Sequence, residues 1–373
     1  MARIVPPAHL VWRRGACLAL LGLLSACVAG GAPAAPAPAP ATAAAPTAAA
    51  PVASTAPATP TPPERAALKA SWVNSLTIAP LFVGLDRGYW EEQGLDLQLE
   101  QVQSAADAIA FLATGQLDAS FGAIAVALYN AINQGLDVRV VAPSSYDRGD
   151  HGTPLFVRKE LWDSGAVRAI ADLRGRRVYT VAPGSGAAYI RVRALEKGGL
   201  QPDEVELVSL QLPDVPVAMT NGVVDAGLFP EPWGSRMLLE GTTAVLDPMP
   251  VPDVLVTTVM AGNRLRQERV DLGRRFMLAY LRAVRDLQTP EQRTSDATVD
   301  TMARWTGLRP ELIRQLRFLP QWDANLAIAA DSLLDQQRVH IAVGATAYTD
   351  PLPASRLIDT SLAEYAVQQL GRQ

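Results

Sequence analysis

Between Leu68 and Leu246, short apolar runs of strand length alternate with longer amphipathic runs, and this alternation is the strongest constraint on the fold. Strands separated by helices join through crossovers, which gives a parallel sheet with helices on its faces. The first series reads as a strand at Leu68–Ser71, a loop at Trp72–Ser75 and a single helix over Ala79–Glu92, closed by Gly94. Leu95, Leu97 and Leu99 then alternate with polar residues, the period of a half-buried strand. Ser104, with Asp107 in capping-box position, starts the next helix. A strand at Leu117–Gly122, a helix at Ala123–Asn133 and a strand at Val138–Ala142 complete a βαβαβ unit, expected to form one parallel sheet. A second series has strands at Leu155–Arg158, Arg177–Val181, Val205–Leu210 and Asp225–Phe229, with an edge strand at Thr243–Leu246. Its helices start near Leu161, at Gly184-Ser185-Gly186, at Val215 and at Glu231. After Ala261 the chain is almost wholly helical, and Leu272, Phe276, Tyr280, Ala283 and Leu287 fall on one stripe. The fold class is therefore α/β, with a helical C-terminal part.

The N-terminus has a different character. Arg3, Arg13 and Arg14 precede an uncharged apolar run ending in Leu24-Ser25-Ala26-Cys27. A basic start, an apolar stretch of about a dozen residues and a small-residue cut site make a secretory signal, too short for the ~20 residues of a membrane span. The Leu-small-small-Cys ending resembles the lipobox of bacterial lipoproteins, so residues 1–26 are expected to be a signal and Cys27 the lipidated first residue. Residues 27–65 read as a tether: ten prolines lie between Pro33 and Pro63, in a stretch otherwise mostly Ala and Thr. Such a segment has too little apolar bulk to offset the entropy of ordering and would hold the body off a lipid surface. The expected location is the extracytoplasmic face of the membrane.

With Cys17 in the signal and Cys27 lipidated, the body has no cysteine, which excludes disulfides and thiol chemistry there. Discounting the three signal arginines from 33 Lys+Arg against 37 Asp+Glu leaves a net charge of −7, with no basic patch to suggest nucleic acid. The two body histidines, His151 and His340, are far apart in sequence, poor material for a metal site or a Ser-His pair. Gly184-Ser185-Gly186 follows a strand as a dinucleotide fingerprint would, but Tyr189 stands where its third glycine belongs. No Gly-x-Ser-x-Gly elbow is present, since Pro183 lies two residues before Ser185. No catalytic residue, metal or cofactor is expected.

Several stretches, in order, resemble the nitrate/sulfonate/bicarbonate- and thiamine-pyrimidine-type receptors of ABC importers. They are Ala79-Pro80-Leu81 to Gly94-Leu95, Leu112 to Ala119, Gly135 to Val138, Asp172 to Val178, Asn221 to Ala226, and Glu231-Pro232-Trp233. The resemblance implies a type II periplasmic-binding-protein fold, two α/β domains around a ligand cleft. Residues 66–150 with 255–373 would form one domain and 151–254 the other, the helical tail covering the first. It also implies a monomeric receptor that captures a sulfonate, a nitrate-like anion, or a pyrimidine or amine, and passes it to a permease with its ATPase. An exported sensor subunit or an exported enzyme of the same fold is the alternative.

Open α/β sheets bind ligands beyond the carboxyl ends of their strands. That rule selects Ser71, Trp72 and Asn74 after the first strand, Gly122 and Ala123 after the third, Ser185, Gly186 and Tyr189 in the second domain, and Glu231 with Trp233. Two helix N-termini aimed into one cleft favour an anion. Trp72, a Trp in a polar loop, and Trp233 could sandwich a planar group. Glu231 would repel an anion; it either meets an amine or aminopyrimidine or caps its own helix beside Pro232. Tyr146–His151 is expected at the interdomain crossing, with Asp147, Arg148 and Asp150 solvated or at the cleft rim. Asp118 and Asp225, at the starts of strands, read as turn anchors.

Overall fold

The computed structural model describes residues 64–102, 105–149, 151–181 and 184–373. The signal and most of the tether, with Cys27, and also Ser104 and Asp150, lie outside them. The described residues form two five-stranded sheets. The first contains β1 (Ala66–Trp72), β2 (Leu95–Gln101), β3 (Ala119–Ala123), β4 (Val138–Asp147) and β10 (Val254–Gly262) in the order β2-β1-β3-β10-β4. The second contains β5 (Leu155–Arg158), β6 (Arg177–Thr180), β7 (Glu206–Ser209), β8 (Ala226–Leu228) and β9 (Thr243–Asp247) in the order β7-β6-β8-β5-β9. In each, four strands run parallel and one, inserted between the third strand and the edge, runs antiparallel to both neighbours: β10 in the first, β5 in the second.

That inserted strand departs from the sequence expectation. β4 does not pair with β3; β10 lies between them, antiparallel to both. The apolar pattern identifies a strand but not its neighbour, and the neighbour here comes from more than a hundred residues away. β5 and β10 each follow a crossing between the sheets, so the two lobes share one topology. The expected Ala79–Glu92 helix is also interrupted. Gly88, at φ 70°, separates a helix at Ala79–Asp86 from a turn at Tyr89–Glu92.

The core follows from the periodicities. Leu272, Phe276, Tyr280, Ala283 and Leu287 are all buried, on or just beyond the Val270–Arg285 helix, which lies on the first sheet. Phe121 of β3 meets Phe276 and Tyr280 at ring separations of 5.9 and 5.4 Å. Burying each such aromatic is worth about 1.5–3 kcal/mol. The strand starts are pinned alike in both lobes. Asp118 accepts the Lys69 N–H at 2.9 Å and donates its own to the Lys69 carbonyl at 2.8 Å. Asp225 does the same with Arg177, at 3.1 and 2.8 Å, and also holds the guanidinium groups of Arg177 and Arg158.

The helical tail serves both lobes, not the first alone. Phe318 packs on Phe156 of β5, ring centroids 5.8 Å apart, and Val339 joins the core of the second lobe. Asp335 binds Arg193 at 2.9 Å and the Tyr189 hydroxyl at 2.9 Å.

Candidate functional site: a cleft between the two sheets

Two adjoining cavities lie beyond the carboxyl ends of β1, β3 and β8. The inner one, about 190 Å³, is bounded by Val73, Thr77 and Ala123 from the first lobe, Thr153, Gly186 and Leu228 from the second, and Thr257 and Gln336 at the crossing. The outer, about 270 Å³, is bounded by Asn74, Leu212, Glu231, Trp233, Thr306 and Leu308. Ser75 and Pro230 line both. Leu308 also borders a larger surface hollow of about 630 Å³ rimmed by Arg236, Glu240, Arg309 and Glu311. No described strand residue lines that hollow, and its charges are of both signs.

Of the residues selected from sequence, Asn74, Glu231 and Trp233 line the outer cavity, and Ala123 and Gly186 the inner. The others lie elsewhere. Ser71 is fully buried inside the sheet and donates to the Ser120 hydroxyl at 2.8 Å. Gly122 is buried in β3, one residue short of the cavity. Trp72 is not in a loop: it ends β1, and its ring packs edge-on against Phe82 and Trp305 at 5.3 and 6.0 Å. Its ring thus belongs to an aromatic cluster of the first lobe. Tyr189 is buried against Asp335. Ser185 is the N-cap of the Gly186–Lys197 helix and accepts from the Ala188 N–H at 3.2 Å.

The helix N-termini are partly used by the protein itself. The Val126 N–H, at the start of the Val126–Asn133 helix, donates to the Gly184 carbonyl of the other lobe at 2.8 Å. Ala125 and Ser185 form a bridge beside it. Glu231 is likewise occupied. Its Oε1 accepts from the N–H groups of Arg317 and Phe318 at 3.1 and 2.9 Å and from the Ser235 hydroxyl, and its Oε2 from the Ser235 N–H at 3.2 Å. Glu231 thus accepts the Ser235 N–H in the first turn of the Trp233–Leu239 helix and ties that helix to the tail, while also lining the outer cavity. Burial raises its carboxyl pKa above the ordinary value, against these hydrogen bonds.

Three segments cross beside the inner cavity. Asp147 of β4 pairs with Val254 of β10, and Tyr146 exchanges hydrogen bonds with Gln321 at 2.8 and 3.0 Å. Arg148 binds Asp253 at 2.9 Å. Asp147 is neither solvated nor at the rim. It is buried, accepts the Thr153 N–H at 3.0 Å, and desolvation pushes its pKa up to about 7. Gly152 is required here, since a Cβ would sit 2.5 Å from the Asp147 carboxyl carbon.

Sequence reasoning missed Ser75, Thr77, Thr153, Pro230, Thr257 and Gln336. Thr257 and Gln336 arrive through long-range topology, and no local motif marks them. Ser75 carries a signal: its hydroxyl accepts from the Thr77 N–H at 3.2 Å, an N-cap that shapes the loop after β1. Among the described residues no group of three His, Cys, Asp or Glu side chains could hold a metal ion, and no helix is long and apolar enough to cross a membrane.

No curated protein sequence matches the chain. Solved structures do. The alkanesulfonate-binding protein SsuA from Xanthomonas axonopodis pv. citri, bound to MOPS, matches with a TM-score of 0.60 at 19% identity, over 79% of this chain and 98% of its own. The periplasmic nitrate-binding protein NrtA from Synechocystis PCC 6803 matches with a TM-score of 0.65 at 13% identity, over 83% and 90%. The desulfurization enzyme DSZB matches with a TM-score of 0.59 at 18% identity, over 82% and 100%. At such identities the likeness is one of fold, the type II periplasmic-binding-protein fold, and it includes both binding proteins and an enzyme. Residues 61–301, well over half of the sequence, match the NMT1-like family, and the chain belongs to it.

Proposed function

We propose that the protein is an extracytoplasmic solute receptor, anchored to the membrane by a lipid on Cys27, that captures a small molecule between its lobes and delivers it to an ABC import permease. The observation that carries this reading is the cavity at the strand ends, walled by both lobes and flanked by the Val126–Gly184 contact. A solute touching both walls favours the closed arrangement in proportion to its differential affinity for it. In this reading 66–150 with most of 255–373 moves against 151–254, about the crossings near Asp147 and Val254. The sulfonate- and nitrate-binding neighbours support the receptor role. An enzyme would need a reacting group, and the described cavity walls offer hydroxyls, the amides of Asn74 and Gln336 and the already hydrogen-bonded Glu231 carboxylate, but no cysteine or histidine.

The test is thermal melting against sulfonates, nitrate, bicarbonate, pyrimidines and amines. A solute at about 100 times its Kd adds roughly 2.7 kcal/mol. A saturable rise that is lost on plugging the cavity supports a receptor; turnover of the solute would support an enzyme. Replacing Cys27 with Ser should release the protein from the membrane fraction, and retention would contradict the lipid anchor.

A further inference from the structure

We infer that the solute taken by the inner cavity is uncharged and mostly apolar, about the size of one substituted ring, rather than a sulfonate, nitrate or amine. The inference rests on the receptor reading and deepens it. Among the described residues lining the two cavities, the single ionisable side chain is Glu231. No Arg or Lys is present to meet an anion. An ion placed there would lose its water without gaining an opposite charge, and a buried charge is costly unless it is paired. The partial charges of the two helix N-termini fall short of a full counter-charge and are partly spent, because the Val126 and Ala188 N–H groups are already bonded within the protein. Asp147, a buried carboxyl beside the inner cavity, accepts from the N–H of the lining residue Thr153 and supplies no positive charge.

An amine fails for the opposite reason. Glu231 lies in the outer cavity and four donors already converge on it, so a cation would have to displace the bonds that fix Phe318 and Ser235. The inner walls instead suit an apolar body with one or two polar edges. Val73, Ala123, Ile190, Leu228 and Val256 supply the apolar surface. Two hydroxyl pairs supply the polar edges: Ser75 with Thr77 at 2.9 Å and Thr257 with Ser145 at 2.6 Å. Each pair spends one hydroxyl proton on itself and keeps one to donate, with acceptor lone pairs to spare. The size follows from the volume. An apolar cavity of about 150 Å³ holds benzene, so about 190 Å³ holds a ring with a small substituent.

The experiment compares ring isosteres of equal size and different charge on the full-length protein: benzamide, benzoate, benzenesulfonate and benzylamine, with nitrate. Melting shifts are titrated, and molecules released on denaturing freshly purified protein are identified by mass spectrometry. The expected result is a saturable rise with benzamide, at least about tenfold weaker apparent affinity for each charged isostere, and loss of the rise in Ala123→Leu, which fills the cavity from an exposed position. Tighter binding of benzenesulfonate, nitrate or benzylamine than of benzamide would overturn the ligand class and leave the receptor reading standing. If no isostere binds, the charge of a co-purified molecule decides: neutral supports the inference, ionic overturns it. No binding and no co-purified molecule would overturn the inference and the receptor reading together.

Discussion

The Val126 N–H donates to the Gly184 carbonyl at 2.8 Å, joining the helix that follows β3 to the turn before the helix that follows β6 in the second lobe. In the shared topology β6 corresponds to β1, so the contact joins the helix after the third strand of one sheet to the helix after the second strand, β6, of the other. The contact has little room to spare, since a Cβ on Gly184 would lie 2.9 Å from a Val126 methyl.

Gly184→Ala should therefore open the cleft. Gly184 has φ 80°, where an L side chain costs roughly 1–2 kcal/mol. The added methyl also presses on Val126. The expected outcome is a solute affinity lowered about tenfold with a smaller loss of melting temperature, read by calorimetry and small-angle scattering. Unchanged affinity would show that this contact does not govern closure.

Glu231→Ala tests whether that carboxylate is structural. It leaves the buried Phe318 N–H without its acceptor, which costs about 1–3 kcal/mol, and the Arg317 N–H with the Ser235 hydroxyl alone, at 3.0 Å. Melting temperature should fall sharply for benzamide-free and benzamide-bound protein alike. A variant that melts normally but no longer binds solute would instead make Glu231 a ligand contact.

Asp147 gives stability a pH dependence of definite sign. Its folded pKa is about 7, against about 3.9 unfolded. Below pH 4 both states are protonated and the burial has no ionic cost. As pH rises from 4 to 7 the unfolded state loses its proton first, so stability falls, and above 7 the loss is complete, on the order of a few kcal/mol. His340, whose pKa burial lowers to about 4, acts oppositely: its stability is lost as pH falls from 6.5 towards 4. Comparing the protein with Asp147→Asn cancels the histidine contribution. The Asn variant should gain relative stability between pH 4 and 7 and hold it above; a flat difference curve would contradict the buried carboxyl.

Asp225→Ala should lower stability by about 1–3 kcal/mol without touching solute affinity. The carboxylate holds Arg177 and Arg158 at the amino end of β8, while the cavity lies at its carboxyl end, beyond Leu228. A large change in affinity would show that the two ends are coupled.

The fold was legible because strand and helix periods are local. The apolar stripe from Leu272 to Leu287 and the alternation from Leu95 to Leu99 each follow from a few neighbouring residues. The position of β10 was not, because its partners Phe121 and Val140 lie more than a hundred residues earlier. The same divide runs through the site. The strand-end rule leads to Asn74, Ala123, Gly186, Glu231 and Trp233, which line the cavities, while Ser71 and Gly122 fall one to three residues short. Trp72 and Tyr189 are spent on Trp305 and Asp335, partners that no local pattern announces. Thr257 and Gln336 reach the cleft only through the inserted strand and the returning tail.

The most direct measurement is a solute trap. Ala125 and Ser185 are bridge partners across the lobes, so Ala125→Cys with Ser185→Cys should form a disulfide that holds the cleft shut, in a body with no other cysteine. The double variant is equilibrated reduced with a cellular small-molecule extract, oxidised, washed and denatured. The account predicts a small molecule released from the oxidised protein and absent from a sample kept reduced through the wash. Equal retention in both, or none in either, would contradict a solute held between the two sheets.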